Sequence, residues 1–216
     1  MERLPKYDCH CHILPGLDDG AQTLEDSLYL AGRLVAYGFE RAVCTSHSSF
    51  LFRNTPHTVI PACERLQEEL DKAGIPLKLT PSLEYRLIPE TWPQIRRNDW
   101  LLPWEDNHIL VELPISHPEK MMDIDPAEEI RLLIADGYQP VLAHPERYEW
   151  ATKDYYKKLF DAGAAFQRNL GAIEGMYGPG PADRALWLLQ EGFYSFLGTD
   201  MHNRKYAEQF DKILRP

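Results

Sequence analysis

Asp8-Cys9-His10-Cys11-His12, followed closely by Asp18-Asp19-Gly20, is the stretch on which the reading of this chain turns. Alternate residues of an extended segment share one face, so a strand over 7–12 aims Asp8, His10 and His12 the same way. Imidazole and carboxylate are the ligands of a Zn-, Mn- or Fe-type site. Two histidines at i, i+2 on a strand can converge on one ion. Cys9 and Cys11 then fall on the opposite face and are expected to be buried small thiols.

The chain around this stretch has 216 residues, 44% hydrophobic and 26% charged, which fits one soluble globular domain over 1–216 with one sizeable core. A net charge of −10 argues against a duplex nucleic-acid partner, which wants a basic face. The cysteines, Cys9, Cys11, Cys44 and Cys63, contain no CxxC pair and no secreted-type framework. Met1–Lys6 carries no apolar signal core, and no run approaches the ~18 apolar residues of a membrane span. The expectation is a cytoplasmic protein with reduced thiols and no membrane insertion.

Going outward along the chain, strand-like and helix-like segments alternate. Thr23-Leu24-Glu25-Asp26 starts a helix with a hydroxyl cap and an acidic first turn, and Gly38 ends it. Arg41–His47 is an apolar run. Thr55-Pro56 opens a helix that reaches Gly74. Pro76–Tyr85, His108–Leu113, Gln139–Pro145, Ala164–Asn169 and Phe193–Thr199 are further strand candidates. Helical stretches follow Asp125-Pro126, run from Tyr155 to Gly163 and from Pro181 to Gly192, and a short helix or turn lies within Pro89–Arg97. About seven strand–helix units imply parallel strands joined by helical crossovers, in a closed barrel or a doubly wound sheet.

Each strand-like run except the sixth brings a potential metal ligand near its C-terminal end: His10 and His12, His47, Glu84, Glu112, His144, then Asp200 and His202. In parallel β/α barrels the reactive centre lies at that face. These side chains exceed what one tetrahedral ion needs and suit two or three ions, with a carboxylate bridging cations ~3.5–4 Å apart. Such a cluster holds phosphate oxygens, neutralises developing charge and supplies hydroxide at neutral pH.

Asp8-x-His10-x-His12 with Ile13-Leu14-Pro15-Gly16-x-Asp18-Asp19-Gly20, Thr45-x-His47, Val111-Glu112-Leu113-Pro114, Ala143-His144-Pro145-Glu146-Arg147-Tyr148 and Gly198-Thr199-Asp200-x-His202-Asn203 resemble the PHP (polymerase and histidinol phosphatase) family. Within it they are most similar to the manganese-dependent tyrosine-protein phosphatases of bacterial capsule and exopolysaccharide operons. The resemblance implies a distorted (β/α)7 TIM-like barrel with three ions, Mn by preference and Fe or Zn as alternatives. It implies a first ion on His10, His12, Glu84 and Asp200, with Glu84 bridging to a second on Glu112 and His144. A third would take His47, His202 and either Asp18 or Asp19. It assigns phosphate clamping to Arg147 and, less closely, to Arg204, which follows His202-Asn203 sooner than the family's late arginine. Ser46 and Ser48 also depart from the pattern around His47.

The chemistry implied is phosphomonoester hydrolysis by a metal-bridging hydroxide, acting on phosphotyrosine in the tail of a tyrosine kinase. A phenolate leaves readily, its conjugate acid having a pKa of ~10. No cysteine here has an arginine six positions later, so a Cys-x5-Arg nucleophile is not expected. Tyr148, Trp150 and Tyr177 are candidates to stack on the substrate ring. The competing readings are a histidinol-phosphate-type phosphatase, an amidohydrolase-like hydrolase, for which no bridging lysine stands on a middle strand, and a non-catalytic metal-binding module.

Overall fold

A computed structural model describes residues 6–121 and 123–213. The expectation of no leader falls mainly on 1–5, outside the described residues. Seven strands form one sheet: β1 Tyr7–Cys11, β2 Arg41–Ser48, β3 Lys78–Arg86, β4 His108–Glu112, β5 Gln139–Leu142, β6 Ala165–Asn169 and β7 Tyr194–Gly198. They pair in chain order and every neighbouring pair is parallel. A doubly wound sheet reverses its strand order, and this one does not. The sheet instead curls until its edges meet. Asp200 donates its backbone N–H to the His10 carbonyl at 2.8 Å, and His12 donates to the Met201 carbonyl at 2.9 Å. The result is a nearly closed seven-stranded barrel.

Helices fill the crossovers: α1 Leu24–Ala36, α2 Pro56–Ala73, α3 Trp92–Arg97, α4 Pro126–Ala135, α5 Lys153–Asp161, α6 Pro179–Gln190 and, after β7, α7 Arg204–Ile213. Their starts follow the caps read in the sequence. Thr23 accepts from Asp26 N, a Thr55–Thr58 capping box precedes α2, and Asp125 accepts from Ala127 N. Gly74, left-handed at φ 67°, stops α2. Alternation along the strands separates two apolar layers. Cys44, Ile109, Val111 and Leu142 pack outward with the helices, while Val43, Leu110 and Val141 meet one another in a second cluster within the barrel. The polar residues cluster above that plug, at the C-terminal rim.

Asp8 does not join them. Its Oδ1 accepts from Thr199 N at 2.9 Å and from His10 N at 3.2 Å, and its Oδ2 accepts from Thr199 Oγ1 at 2.7 Å. The β1–β2 register shifts between Asp8 and Cys11, which breaks the simple alternation expected for Asp8, His10 and His12. Asp8 therefore bolts β1 to β7 across the barrel closure, and burial pushes its carboxyl up to about 6. At the same seam β7 comes very close to its neighbours. A Cβ on Gly198 would stand 2.5 Å from His10 Cβ and 2.9 Å from Gln167 Nε2, so only glycine fits there.

Candidate metal centre

β5 and β7 end earlier than the sequence suggests. His144 and Asp200 lie just beyond them with positive φ, 30° and 54°. That conformation is uncommon for residues other than glycine, with Asp and His among those that adopt it more readily. It occurs here at two rim residues of the cluster. β3, by contrast, continues through Glu84 to Arg86.

Glu84 stands at the centre of what gathers there. Its Oε2 is 3.4 Å from His10 Nε2, 3.4 Å from His12 Nε2 and 2.9 Å from His47 Nδ1, yet it accepts no well-aligned hydrogen bond. Its Oε1 is 3.2 Å from His144 Nε2. Asp200 Oδ1 is 3.4 Å from His10 Nε2 and 3.6 Å from His12 Nε2. Glu112 Oε1 is 3.7 Å from His144 Nε2. Asp19 Oδ1 is 3.5 Å from His47 Nε2 and 3.6 Å from His202 Nε2.

These distances yield overlapping groups of donors, each with its atoms within 4.8 Å of one another: His10/His12/Glu84, His10/His144/Asp200, His47/Glu84/Glu112, and His12/Asp19/His47/His202. Glu84, His10, His12 and His47 each belong to two of them, and of these only Glu84, a carboxylate, offers two oxygens. The first and last groups share residues with the first and third ligand sets expected from sequence, whereas the second set is split, His144 grouping with His10 and Asp200, and Glu84 and Glu112 with His47. The pair left open there separates cleanly. Asp19 is exposed and faces the imidazoles, whereas Asp18 is buried and bonds His12 Nδ1 at 2.9 Å, Gly20 N at 3.0 Å and His47 N at 2.9 Å.

The donor set fits divalent cations by two further observations. Metal-ligating histidines engage their second ring nitrogen with a carboxylate or carbonyl. Here His10 Nδ1 faces Gln167 Oε1 at 2.9 Å, His12 Nδ1 faces Asp18 Oδ2, and His202 Nδ1 faces the Asp200 carbonyl at 2.8 Å. Each ring thereby turns Nε2 towards the cluster. His10 Nε2 and His12 Nε2 are only 3.0 Å apart, both turned into the cluster.

The electrostatics agree. Burial opposes charge on His10, His12 and His47, but neighbouring carboxylates outweigh it: Glu84 and Asp200 for His10, Asp18 and Glu84 for His12, and Glu84 for His47. All three are held above the usual imidazole range. Burial likewise resists ionisation of Glu84 and Asp200, and the surrounding imidazoles overcome it, with Arg147 adding to the effect on Asp200. His202 differs, because burial and then the charge of His12 push it down to about 4.

Two residues missed in the sequence support this shell, and both lie on β6, the strand read as delivering nothing. Gln167 faces His10, accepts from His144 N at 3.1 Å and donates to Asn169 Oδ1 at 2.8 Å. Asn169 donates to Asp200 Oδ2 at 2.9 Å. The only sequence signal was a Gln-x-Asn alternation at a strand end. Gln167→Ala is expected to weaken divalent-metal binding by roughly 10- to 100-fold while the fold stays intact. Metal titration of the stripped protein beside a melting curve checks this, and an unchanged affinity would make the network idle.

Arg147 donates Nη1 to Asp200 Oδ2 at 2.8 Å and lies against the Tyr177 ring. It lines a cavity of about 270 Å³ together with Asp19, His47, Arg86, Glu112, His144, Asp200 and His202. Arg204 does not reach this cavity. It opens α7 on the surface, bonding Asp26 Oδ1 and Glu25 Oε1 at 3.0 Å each and covering Tyr29. At the first position of α7 its side chain turns towards α1. The aromatic candidates also lie elsewhere. Tyr148 is buried between Ala143 O and Leu113 N, Trp150 donates to Pro114 O, and Tyr177 accepts from Asn169. Tyr206 is the tyrosine on the cavity wall.

A parallel seven-stranded barrel with a His/Asp/Glu cluster at its C-terminal rim defines the class, a PHP-type barrel. Residues 6–209 match the family described as capsular polysaccharide synthesis, CpsB/CapC, and the chain belongs to that family. It is 32% identical over 202 residues to the tyrosine-protein phosphatase YwqE of Bacillus subtilis, covering 92% of this chain and 78% of that protein. It is 27% identical to the tyrosine-protein phosphatase CpsB of Streptococcus agalactiae, covering 91% and 82%. A solved structure from work on YwqE of Bacillus subtilis and CpsB of Streptococcus pneumoniae, described as unique metal-dependent tyrosine phosphatases, superposes with a TM-score of 0.83 at 31% identity, covering 96% of this chain and 87% of that one. Histidinol phosphate phosphatase from Lactococcus lactis shares the fold at a TM-score of 0.54 and 13% identity, covering 96% and 92%.

Proposed function

We propose that this chain is a metal-dependent protein-tyrosine phosphatase of capsular or exopolysaccharide synthesis, acting on phosphotyrosine in the tail of a tyrosine kinase. The observation that carries the reading is the overlap of the donor groups at Glu84, inside a family whose named relatives are tyrosine phosphatases. In this reading His10, His12, Glu84 and Asp200 would hold one ion, Glu84, Glu112 and His144 a second, and Asp19, His47 and His202 a third. Manganese is the proposed metal, and Fe and Zn also suit such ligands. The function is assigned to one domain over 1–216, located in the cytoplasm. The cysteines are free and buried, and no helix among the described residues is long and apolar enough to cross a membrane.

When bound, the ions supply positive charge to phosphoryl oxygens and lower the pKa of water. The chain's own groups do the rest. Arg147, kept cationic by Asp200 against the cost of its burial, binds phosphoryl oxygens as charge spreads over them. Asp200 holds that guanidinium, and Asn169 holds Asp200 in place. His202, its pKa lowered to about 4, stays neutral at physiological pH and keeps a lone pair towards the cavity. No cysteine lines the cavity, so a thiol nucleophile has no place in the scheme.

Chelator treatment is expected to abolish hydrolysis of a phosphotyrosyl peptide, with Mn²⁺ restoring it, while thiol alkylation leaves it unchanged. The opposite pattern removes the proposal. Faster turnover of histidinol phosphate than of the peptide would transfer the activity to a small-molecule substrate.

A further inference from the structure

The wall of the inner cavity carries a second guanidinium. Arg86 ends β3, two residues past Glu84, and pairs in register with Glu112 of β4. Its Nε donates to Glu112 Oε2 at 2.8 Å, while neither terminal amino group makes a hydrogen bond among the described residues. The fork is thus anchored at one edge and open at the other. A side chain needed only to balance Glu112 could be sealed in, yet that of Arg86 remains 33% exposed.

Beyond it lies a second, larger cavity of about 690 Å³. Phe50, Leu51, Ile88 and Pro114 give it apolar walls, and Lys120 adds a cation. Phe50 and Leu51 are 57% and 76% exposed, high for large apolar side chains on one short loop. Arg86, Ile115 and Arg147 are the residues shared by the linings of both cavities. A phosphomonoester passing from the outer space to the metal-ligand cluster therefore meets both guanidiniums at the junction.

We propose that Arg86 is a substrate-binding residue: it pairs with Arg147 to hold the phosphoryl oxygens at this junction, while the outer cavity receives the aryl ring and adjoining peptide of a phosphotyrosyl substrate. This rests on the phosphatase reading above. It gives the site a second arginine where Arg204, held by Glu25 and Asp26, cannot serve. A planar fork matches phosphate oxygens in a way an ammonium does not.

The test uses Arg86→Gln and Arg86→Lys in the full, metal-loaded chain. Inorganic phosphate is the probe, both as inhibitor and in calorimetry, beside KM and kcat for a phosphotyrosyl peptide and metal content per chain. Arg86→Gln is expected to keep its metal while weakening phosphate binding and raising KM roughly 10- to 100-fold, the loss of one hydrogen bond to a charged group. Arg86→Lys recovers part of this, and it carries the same measurements should the glutamine variant not fold. Unchanged phosphate affinity overturns the proposal. So does a loss of metal with normal KM restored by excess metal, because Arg86 would then only position Glu112. If the wild-type chain fails to cleave the peptide, the functional reading falls, and calorimetry with phosphate still decides whether Arg86 holds the anion.

Discussion

Glu84→Gln is expected to strip metal from the centre and cut aryl-phosphate turnover by roughly 10² to 10⁴-fold. Glu84 is fully buried and lies within 3.4 Å of His10, His12, His47 and His144. It belongs to two of the donor groups, so its loss removes a ligand from two places at once. Removing one partner of a buried charged pair costs about 3–5 kcal/mol, and each 1.4 kcal/mol is a factor of about ten. Gln keeps the shape but removes the negative charge and leaves only one oxygen to bridge. The imidazoles that Glu84 holds above their usual range should also titrate lower in the variant. Metal content per chain and the pH titration of the histidine resonances of the stripped protein check both halves. A variant that retains full metal and normal turnover would remove Glu84 from the centre.

The second large effect is at Arg147. Arg147→Ala is expected to lower kcat by about 10²–10³-fold, the usual loss for one preorganised donor aimed at developing charge. Metal content should change far less, because Asp200 keeps its Asn169 bond and its neighbouring imidazoles. Arg147→Lys should recover little, since its side chain is fixed between Asp200 and the Tyr177 ring and a flexible ammonium cannot reproduce that geometry. Steady-state kinetics paired with metal analysis separate this from a ligand defect. An equal loss of metal and activity would make Arg147 a support for Asp200 and nothing more.

Much of the barrel was legible because each of its units carries a local signal. Capping residues at Thr23, Thr55 and Asp125 mark helix starts, and glycines at 74 and 137 sit at helix ends with positive φ. No local signal marks α7 as a defined element, and the Pro- and Trp-rich stretch of α3 fits either a helix or a turn. The first is anchored by a long-range bond from Tyr37 Oη to the Ala207 carbonyl, a partner no local pattern reveals. Period-two alternation aims Asp8 the same way as His10 and His12, yet its carboxylate is taken up by Thr199 and the His10 N–H across the barrel closure. Arg204 resembles the family's late arginine only loosely because it follows His202 so soon, and at the start of α7 its guanidinium bonds Glu25 and Asp26 instead.

The order of ligand types along the chain was fixed by the sequence alone: imidazoles and acids recur at the C-terminal ends of successive strand-like runs, and parallel β/α connections place such ends at one face. Which carboxylate faces the imidazoles was decided only in three dimensions. So were the opposite directions taken by Asp18 and Asp19, the hydrogen bonds of Gln167 and Asn169, and the place of Arg86 and Arg147 on the walls of the same cavity. Strand periodicity sets which way a side chain points relative to its own backbone, but distances between side chains from different strands depend on register, closure and the positive-φ turns at His144 and Asp200.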